Sequence, residues 1–249
     1  MSEKTVKLSA IVVKSSQSGE NDKLLTLLSP EEGKLTVTAK GVRSLKHPSR
    51  NACCPLCYSS FVLKKIKEGF YSLVSAELIE GFRTLSEDVV LLSYGAYFAA
   101  LTEFCVQIGT QASEEVRLLL NCLHVLGKRP ENASLIKAVF EFKLMELIGI
   151  VPEFSLECPC GNKGSFFSIS DGEMRCSQHR TQDSVSISDL QIKAASYITQ
   201  NSLRDALFSS CNQEISDSLS EITEPFLLYH LGNLPKSLDY LHKIINKTP

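Results

Sequence analysis

Within the first eighty residues, short apolar runs recur with a period of two and are broken by glycine and proline. Val6 to Val13 alternates and then turns apolar, Leu24 to Leu28 is a short apolar run, and Pro30 to Gly33 reads as a turn. Lys34 to Lys40 alternates cleanly, with Leu35, Val37 and Ala39 on one face and Lys34, Thr36, Thr38 and Lys40 on the other. Gly41 ends that run. Tyr58 to Ile66 and, after Gly69, Phe70 to Leu78 are two more β-rich runs. Five short strands with glycines at the bends predict a small closed barrel. An OB-type barrel is the common five-stranded solution, and an SH3-like barrel fits the periodicity nearly as well.

After Gly81 the period changes. Ser86 is expected to cap a long apolar helix running to about Gln107, with Glu87 and Asp88 in its first turn. Its stripe of Phe98, Leu101, Phe104, Cys105 and Ile108 reads as core. Ser113, followed by Glu114 and Glu115, starts a second helix that ends at Gly127; His124 within it reads as a core or boundary histidine. Asn132 caps a third through Leu147, with Gly149 as its C-terminal glycine. Ser188-Asp189 begins a fourth, to about Thr199. Ser202 to Ser209 and Gln213 to Leu231 read as helical, with Pro225 kinking or splitting the latter, and Pro235 opens a last helix to Ile245. The expected fold class is α+β multidomain. A five-stranded OB-type barrel over residues 1–81 precedes an all-α domain over residues 82–249, interrupted at about 151–187.

The charges are sorted along the chain as sharply as the periods. From Gly33 to Lys67 there is no Asp or Glu, yet the segment carries Lys34, Lys40, Arg43, Lys46, Arg50, Lys64, Lys65 and Lys67. Residues 1–70 hold 12 Lys and Arg against 6 Asp and Glu, whereas the remainder holds 14 against 22. Such a surface attracts polyanions, above all nucleic-acid phosphates, although a solvated basic loop on an ordinary domain has the same composition. Those eight cations are the candidate nucleic-acid-binding residues. Lys64 and Lys65, being adjacent on a strand, point to opposite faces. Of the aromatics that could stack bases, Tyr58, Phe61, Phe70 and Tyr71 are at hand, and most are expected in the core.

The interruption holds Cys158-Pro-Cys160-Gly161 and then Cys176-Ser-Gln-His179, with fifteen residues between Cys160 and Cys176. Two short clusters at this distance can close four ligands on one ion. Three thiolates and an imidazole make a closed tetrahedral shell, so zinc here is expected to be structural. Gly161 lets the chain turn around the metal, and Asp171-Gly172 marks a small hairpin that carries the second cluster. His179 is the weakest ligand of the set, and Cys57 is an alternative donor. Cys54-Pro-Leu-Cys57 is a second C-x-x-C, but the strand-like segment after it argues for buried thiols and against a redox helix.

No phosphate-binding glycine loop, dinucleotide fingerprint, nucleophile elbow, H-E-x-x-H or deaminase pattern is present. Binding, and not catalysis, is therefore the expectation. No run of eighteen apolar residues occurs, and the opening Met-Ser-Glu-Lys has no apolar h-region, so the expectation is a cytosolic protein with no membrane partner. Nine cysteines without an export signal are expected to stay reduced.

These features, in this order, resemble the RecO family of bacterial recombination mediators. The matching residues are Ala10-Ile11-Val12-Val13 and Gly19-Glu20-Asn21-Asp22-Lys23-Leu24, then Glu32-Gly33-Lys34-Leu35, then Ala39-Lys40-Gly41-Val42-Arg43. The order of barrel, helical domain and inserted zinc module is similar to the family's. The resemblance implies an N-terminal OB-fold and a C-terminal helical domain. It implies binding of single- and double-stranded DNA, annealing of complementary strands, and cooperation with RecR and single-stranded-DNA-binding protein in repair of the RecF type. The family's zinc form shows a C-x-x-C pair where this chain has Cys158-x-Cys160, and His179 stands where a fourth cysteine is expected. Two other classes fit the residues: an RNA-binding protein of translation or ribosome assembly, and an adaptor whose helices dock peptide tails.

Overall fold

Five strands alternate buried and exposed residues and close on one another: β1 (Thr5–Ser18), β2 (Asp22–Ser29), β3 (Gly33–Ala39), β4 (Tyr58–Lys67) and β5 (Phe70–Glu80). In this computed structural model residues 5–247 are described, and the polar opening Met1 to Lys4 lies outside them. The order around the barrel is β1-β2-β3-β5-β4, closing β4 onto β1. All pairs are antiparallel except β3 with β5, which is parallel. This is the OB-type closure that periodicity alone left open beside the SH3-like one. Leu8, Ala10, Val12, Leu25, Leu27, Leu35, Val37, Ala39, Phe61, Leu63 and Tyr71 fill the barrel. They are the inward half of each alternation, so a one-residue slip of any strand would expose its share of the core.

Gly33 shows how the barrel meets the helices of its own unit. Its φ is +63°, and a Cβ there would sit 2.0 Å from the Thr110 carbonyl oxygen, so only glycine fits. The helices are α1 (Arg83–Ser86), α2 (Val89–Cys105) and α3 (Ser113–Lys128), with a closing helix at Ser237–Ile245. Asp88 caps α2, accepting from the Val90 and Leu91 amides at 2.7 and 3.1 Å. The expected cap at Ser86 is displaced because Arg83–Ser86 forms a separate turn of helix. Two other expectations are corrected: His124 is exposed, and Phe104 and Ile108 emerge to 45% and 50% exposure while Phe98 and Leu101 are core.

The chain divides into two compact units, Met1–Gly127 with Pro235–Pro249, and Lys128–Leu234. The helices α1–α3 thus belong with the barrel, so the compact units part later in the chain than the change of period at residue 81. In the second unit α4 (Ala133–Leu147) precedes a three-stranded sheet, β6 (Phe166–Ser168), β7 (Glu173–Arg175) and β8 (Ser184–Ser186), in the order β7-β6-β8. Then follow α5 (Asp189–Gln200), α6 (Leu203–Leu207), α7 (Gln213–Ser218) and α8 (Ser220–Leu231); the closing helix is α9. Ser188 and Gln191 form a capping box at α5. Pro225 does not split the helix; the break falls at Leu219, and Pro225 lies inside α8. Lys137 on α4 is buried, bridging Glu141 and Glu224 at 2.8 Å each, and Thr223 donates to Glu141 at 2.6 Å. None of these three charges is left alone in the interior, where an unpaired one would be costly.

Candidate nucleic-acid interface and metal centre

The barrel register decides where each candidate cation stands. Phe70 of β5 pairs with Thr36 on β3 and with Lys67 on β4, and Ser72 pairs with Thr38 and with Lys64. Directly paired residues share a face. Thr36, Thr38, Phe70, Ser72, Lys64 and Lys67 therefore lie on the outer face of three adjacent strands, with Lys40 just past the end of β3. Lys67 places its ammonium 4.4 Å from the centre of the Phe70 ring.

The loop after β3 carries Arg43, Lys46 and Arg50, all exposed. It is tied to the β1–β2 turn. The Gly41 amide donates to Asp22 Oδ1 at 2.8 Å, and the Arg43 amide donates to the Asn21 carbonyl at 3.0 Å. The Arg43 guanidinium donates to the Glu20 carbonyl at 2.5 Å. A carbonyl has no net charge, so Arg43 keeps its positive charge for an anion.

Lys34 and Lys65 are held by carboxylates. Lys34 Nζ meets Glu103 Oε1 at 3.2 Å and the Glu103 carbonyl at 2.7 Å. Lys65, on the inward parity at the barrel mouth, meets Glu68 at 3.0 Å, and that hydrogen bond raises its pKa. The alternation places Lys34 on the right face but cannot reveal a partner 69 residues away. Of the aromatics, Phe61 and Tyr71 are core, Tyr58 is half-buried, and Phe70 is exposed.

In the second unit the chain brings Cys158, Cys160, Cys176 and His179 together, with every donor atom within 4.8 Å of the others. The Gly161 amide donates to the Cys158 carbonyl at 2.8 Å and the Cys158 amide to the Asn162 carbonyl at 2.8 Å, which curls the first cluster on itself. Cys176 follows β7 directly, and the His179 amide donates to the Cys176 carbonyl at 3.1 Å. A tetrahedral ion with metal–sulfur bonds of about 2.3 Å requires sulfur–sulfur edges of about 3.8 Å and slightly shorter sulfur–nitrogen edges. Cys160 and Cys176 are 3.8 Å apart, Cys176 and His179 Nδ1 3.4 Å, and Cys158 and His179 Nδ1 3.9 Å. The donor set thus fits a metal ion, and His179 completes it. Cys57, the alternative donor, lies in the barrel, where its carbonyl accepts from the Val12 amide.

The cluster's surroundings lower two of its three thiols, Cys158 and Cys176, and raise the third, Cys160. The Cys160 amide, with help from the Cys176 amide, pulls the Cys158 thiol down to about 6 against the opposing effect of burial. His179 is raised, first by its hydrogen bond to Cys176. Asn162 Nδ2 lies 3.4 Å from Cys160 Sγ, a support that the cysteine spacing does not reveal. Phe154 stacks on Phe167 of β6 at 4.9 Å, Phe142 of α4 meets Phe154 edge-on at 5.6 Å, and Phe167 meets Phe226 of α8 at 5.7 Å. These rings anchor the small sheet to the helices of its unit. By contrast burial pushes Cys53 up to about 12 and Cys57 up to about 11, which makes them inert core thiols.

Comparison with known proteins agrees with this arrangement. The family model described as Recombination protein O N terminal matches residues 1–82, and that described as Recombination protein O C terminal matches residues 86–239. The DNA repair protein RecO of Caldicellulosiruptor bescii is 30% identical over 97% of this chain and 99% of its own length. That of Alkaliphilus metalliredigens is 31% identical over 96% of this chain and 99% of its own. That of Acetivibrio thermocellus is 29% identical over 95% and 96%. With both halves matched in order and relatives aligned almost end to end, this chain belongs to the RecO family.

Proposed function

We propose that this chain binds single- and double-stranded DNA without sequence preference and anneals complementary strands in recombinational repair of the RecF type. In this reading the barrel of residues 1–81 grips DNA and the helical region of residues 82–249 serves protein partners, RecR and single-stranded-DNA-binding protein. The observation that carries it is the set of exposed cations about the barrel: Lys40 just past β3, Lys67 on β4 beside the half-buried Lys64, and Arg43, Lys46 and Arg50 on the loop after β3. Contacts to phosphate carry little sequence information, which suits a repair protein. Neutralising both strands lowers their mutual repulsion, so annealing needs no nucleotide and no catalytic group. Lys34 and Lys65 contribute less, because each already has a carboxylate.

The partner part of the reading draws on a groove of about 770 Å³ in the helical unit, lined by Leu135, Leu190, Tyr197, Ile198, Phe208 and Ile215 with Lys193 beside them. Ser209, Ser210, Asn212 and Glu214 also line it, and an apolar floor with polar groups beside it suits a peptide segment. The metal in this reading is structural zinc, held by Cys158, Cys160, Cys176 and His179, which would tie the loop of residues 158–161 to the β6–β7 hairpin. The protein would work in the cytoplasm, on the nucleoid. No helix among the described residues is long and apolar enough to cross a membrane.

Salt titration of oligonucleotide binding tests the electrostatic part. If about four to six phosphates are neutralised, log K against log salt should fall with a slope of about −3 to −5. A flat response sinks it. Annealing of complementary oligonucleotides without nucleotide cofactor, with and without the two partner proteins, tests the rest.

A further inference from the structure

We infer that Phe70 is a base-stacking platform, and that it makes the barrel face discriminate an unpaired nucleic-acid base from a base pair. The inference rests on the nucleic-acid reading above and adds to it the residue that reads strandedness. An exposed phenylalanine by itself needs no explanation. Phe70 differs through four observations. Its backbone is paired on both sides, to Thr36 and to Lys67, so the ring's base is fixed and little entropy is lost on stacking. Its outward neighbours Thr36, Thr38 and Ser72 are short, so the sheet beside the ring is flat and has room for a planar group. Lys67 stands 4.4 Å over the ring and Lys64 pairs with Ser72, the next outward position on β5. Finally, Glu68, two residues before Phe70, and Glu103 are bound by Lys65 and Lys34.

A ring at 39% exposure with the Lys67 ammonium beside it offers exposed π-surface to a base and a cation to the neighbouring phosphate. In a duplex the bases are stacked on one another and cannot reach a ring fixed on a sheet. A duplex is therefore gripped by the cations alone, and a single strand by cations and ring together.

The test uses the full chain with a mixed-sequence 20-nucleotide single strand and its blunt duplex. Phe70→Ala should weaken single-strand binding by about 5- to 150-fold while leaving the duplex affinity and both salt slopes unchanged. Phe70→Tyr, which keeps the ring, should restore single-strand affinity. The chain contains no tryptophan, so Phe70→Trp supplies a single reporter whose emission should be quenched by the single strand and not by the duplex. If Phe70→Ala weakens both ligands equally, or neither, or if the Trp emission ignores the single strand, the platform is refuted. If the unaltered protein binds neither ligand, the nucleic-acid reading itself has failed, and that outcome is separate from a normal binder that ignores Phe70.

Discussion

The barrel strands β1–β5 run from 7 to 14 residues and close on each other, whereas β6, β7 and β8 are three residues each. The long strands bury a continuous interior in which Ala10, Val12, Leu25, Leu27, Val37, Phe61 and Leu63 are fully enclosed. The short sheet buries Phe167, Met174 and little else of its own, and leans on Phe154 and Phe226. The contrast extends to sulfur. In the barrel burial pushes Cys53 and Cys57 up, while at the cluster backbone amides pull Cys158 down. One region is held by apolar burial and keeps its thiols protonated. The other is too small to bury its way to stability and gathers three cysteines and a histidine that a metal ion can cross-link.

The sharpest way to break this comparison is to take the ligands away. Structural metal of this kind is worth about 10 kcal/mol or more in small modules. Chelation or Cys176→Ser should therefore strip hydrogen-exchange protection from β6–β8 while the barrel amides keep theirs. Protection lost equally in both regions would mean that the cluster is not a local cross-link. The complementary experiment opens a hole in the barrel. Phe61→Ala removes a fully buried ring and should cost about 3–5 kcal/mol in urea unfolding of the barrel. Metal content, read by elemental analysis, should stay the same.

The two regions should also fail at opposite ends of the pH scale. Burial raises Cys53 from its ordinary 9.0 to about 12, so the unfolded thiol ionises first. The Cys53 contribution to the barrel's stability is thus complete below pH 9.0 and is lost as pH rises toward 12. Asp183 is lowered, first by the Thr181 hydroxyl, and Asp171 is lowered, first by Arg175. Their contribution is present above the ordinary 3.8 and is lost as pH falls through the depressed values. Exchange protection should therefore fade in the barrel at alkaline pH and around β6–β8 at acid pH. Cys53→Ala should flatten the first limb and Asp183→Asn the second. Both regions melting together at one end would contradict it.

The smallest effect separates the barrel's own cations. Lys46→Glu should weaken DNA binding and shrink the salt slope by about 1. Lys65→Ala should leave the slope as it was and hardly change the melting temperature, because its exposed pair with Glu68 is weak. Equal losses from both would show that Lys65 leaves Glu68 to meet a phosphate.

Much of this was legible in the chain. The alternation of Lys34 to Lys40 assigned Leu35, Val37 and Ala39 to the interior, and all are buried. Ser188 marked the start of α5, and the two cysteine clusters marked the donor set. Each is a short-range pattern: a period of two, a cap within one turn, a ligand spacing. Only tertiary structure decided that Glu103 holds Lys34, that Phe70 faces out while Tyr71 faces in beside it, and that Asp88 displaces Ser86 as the cap of α2. It also decided that Pro225 sits inside α8 and that the barrel closes through a parallel β3–β5 pair. The reason is physical. Local periodicity is set by backbone geometry that every residue carries with it, whereas pairing, exposure and closure depend on which distant segment arrives alongside.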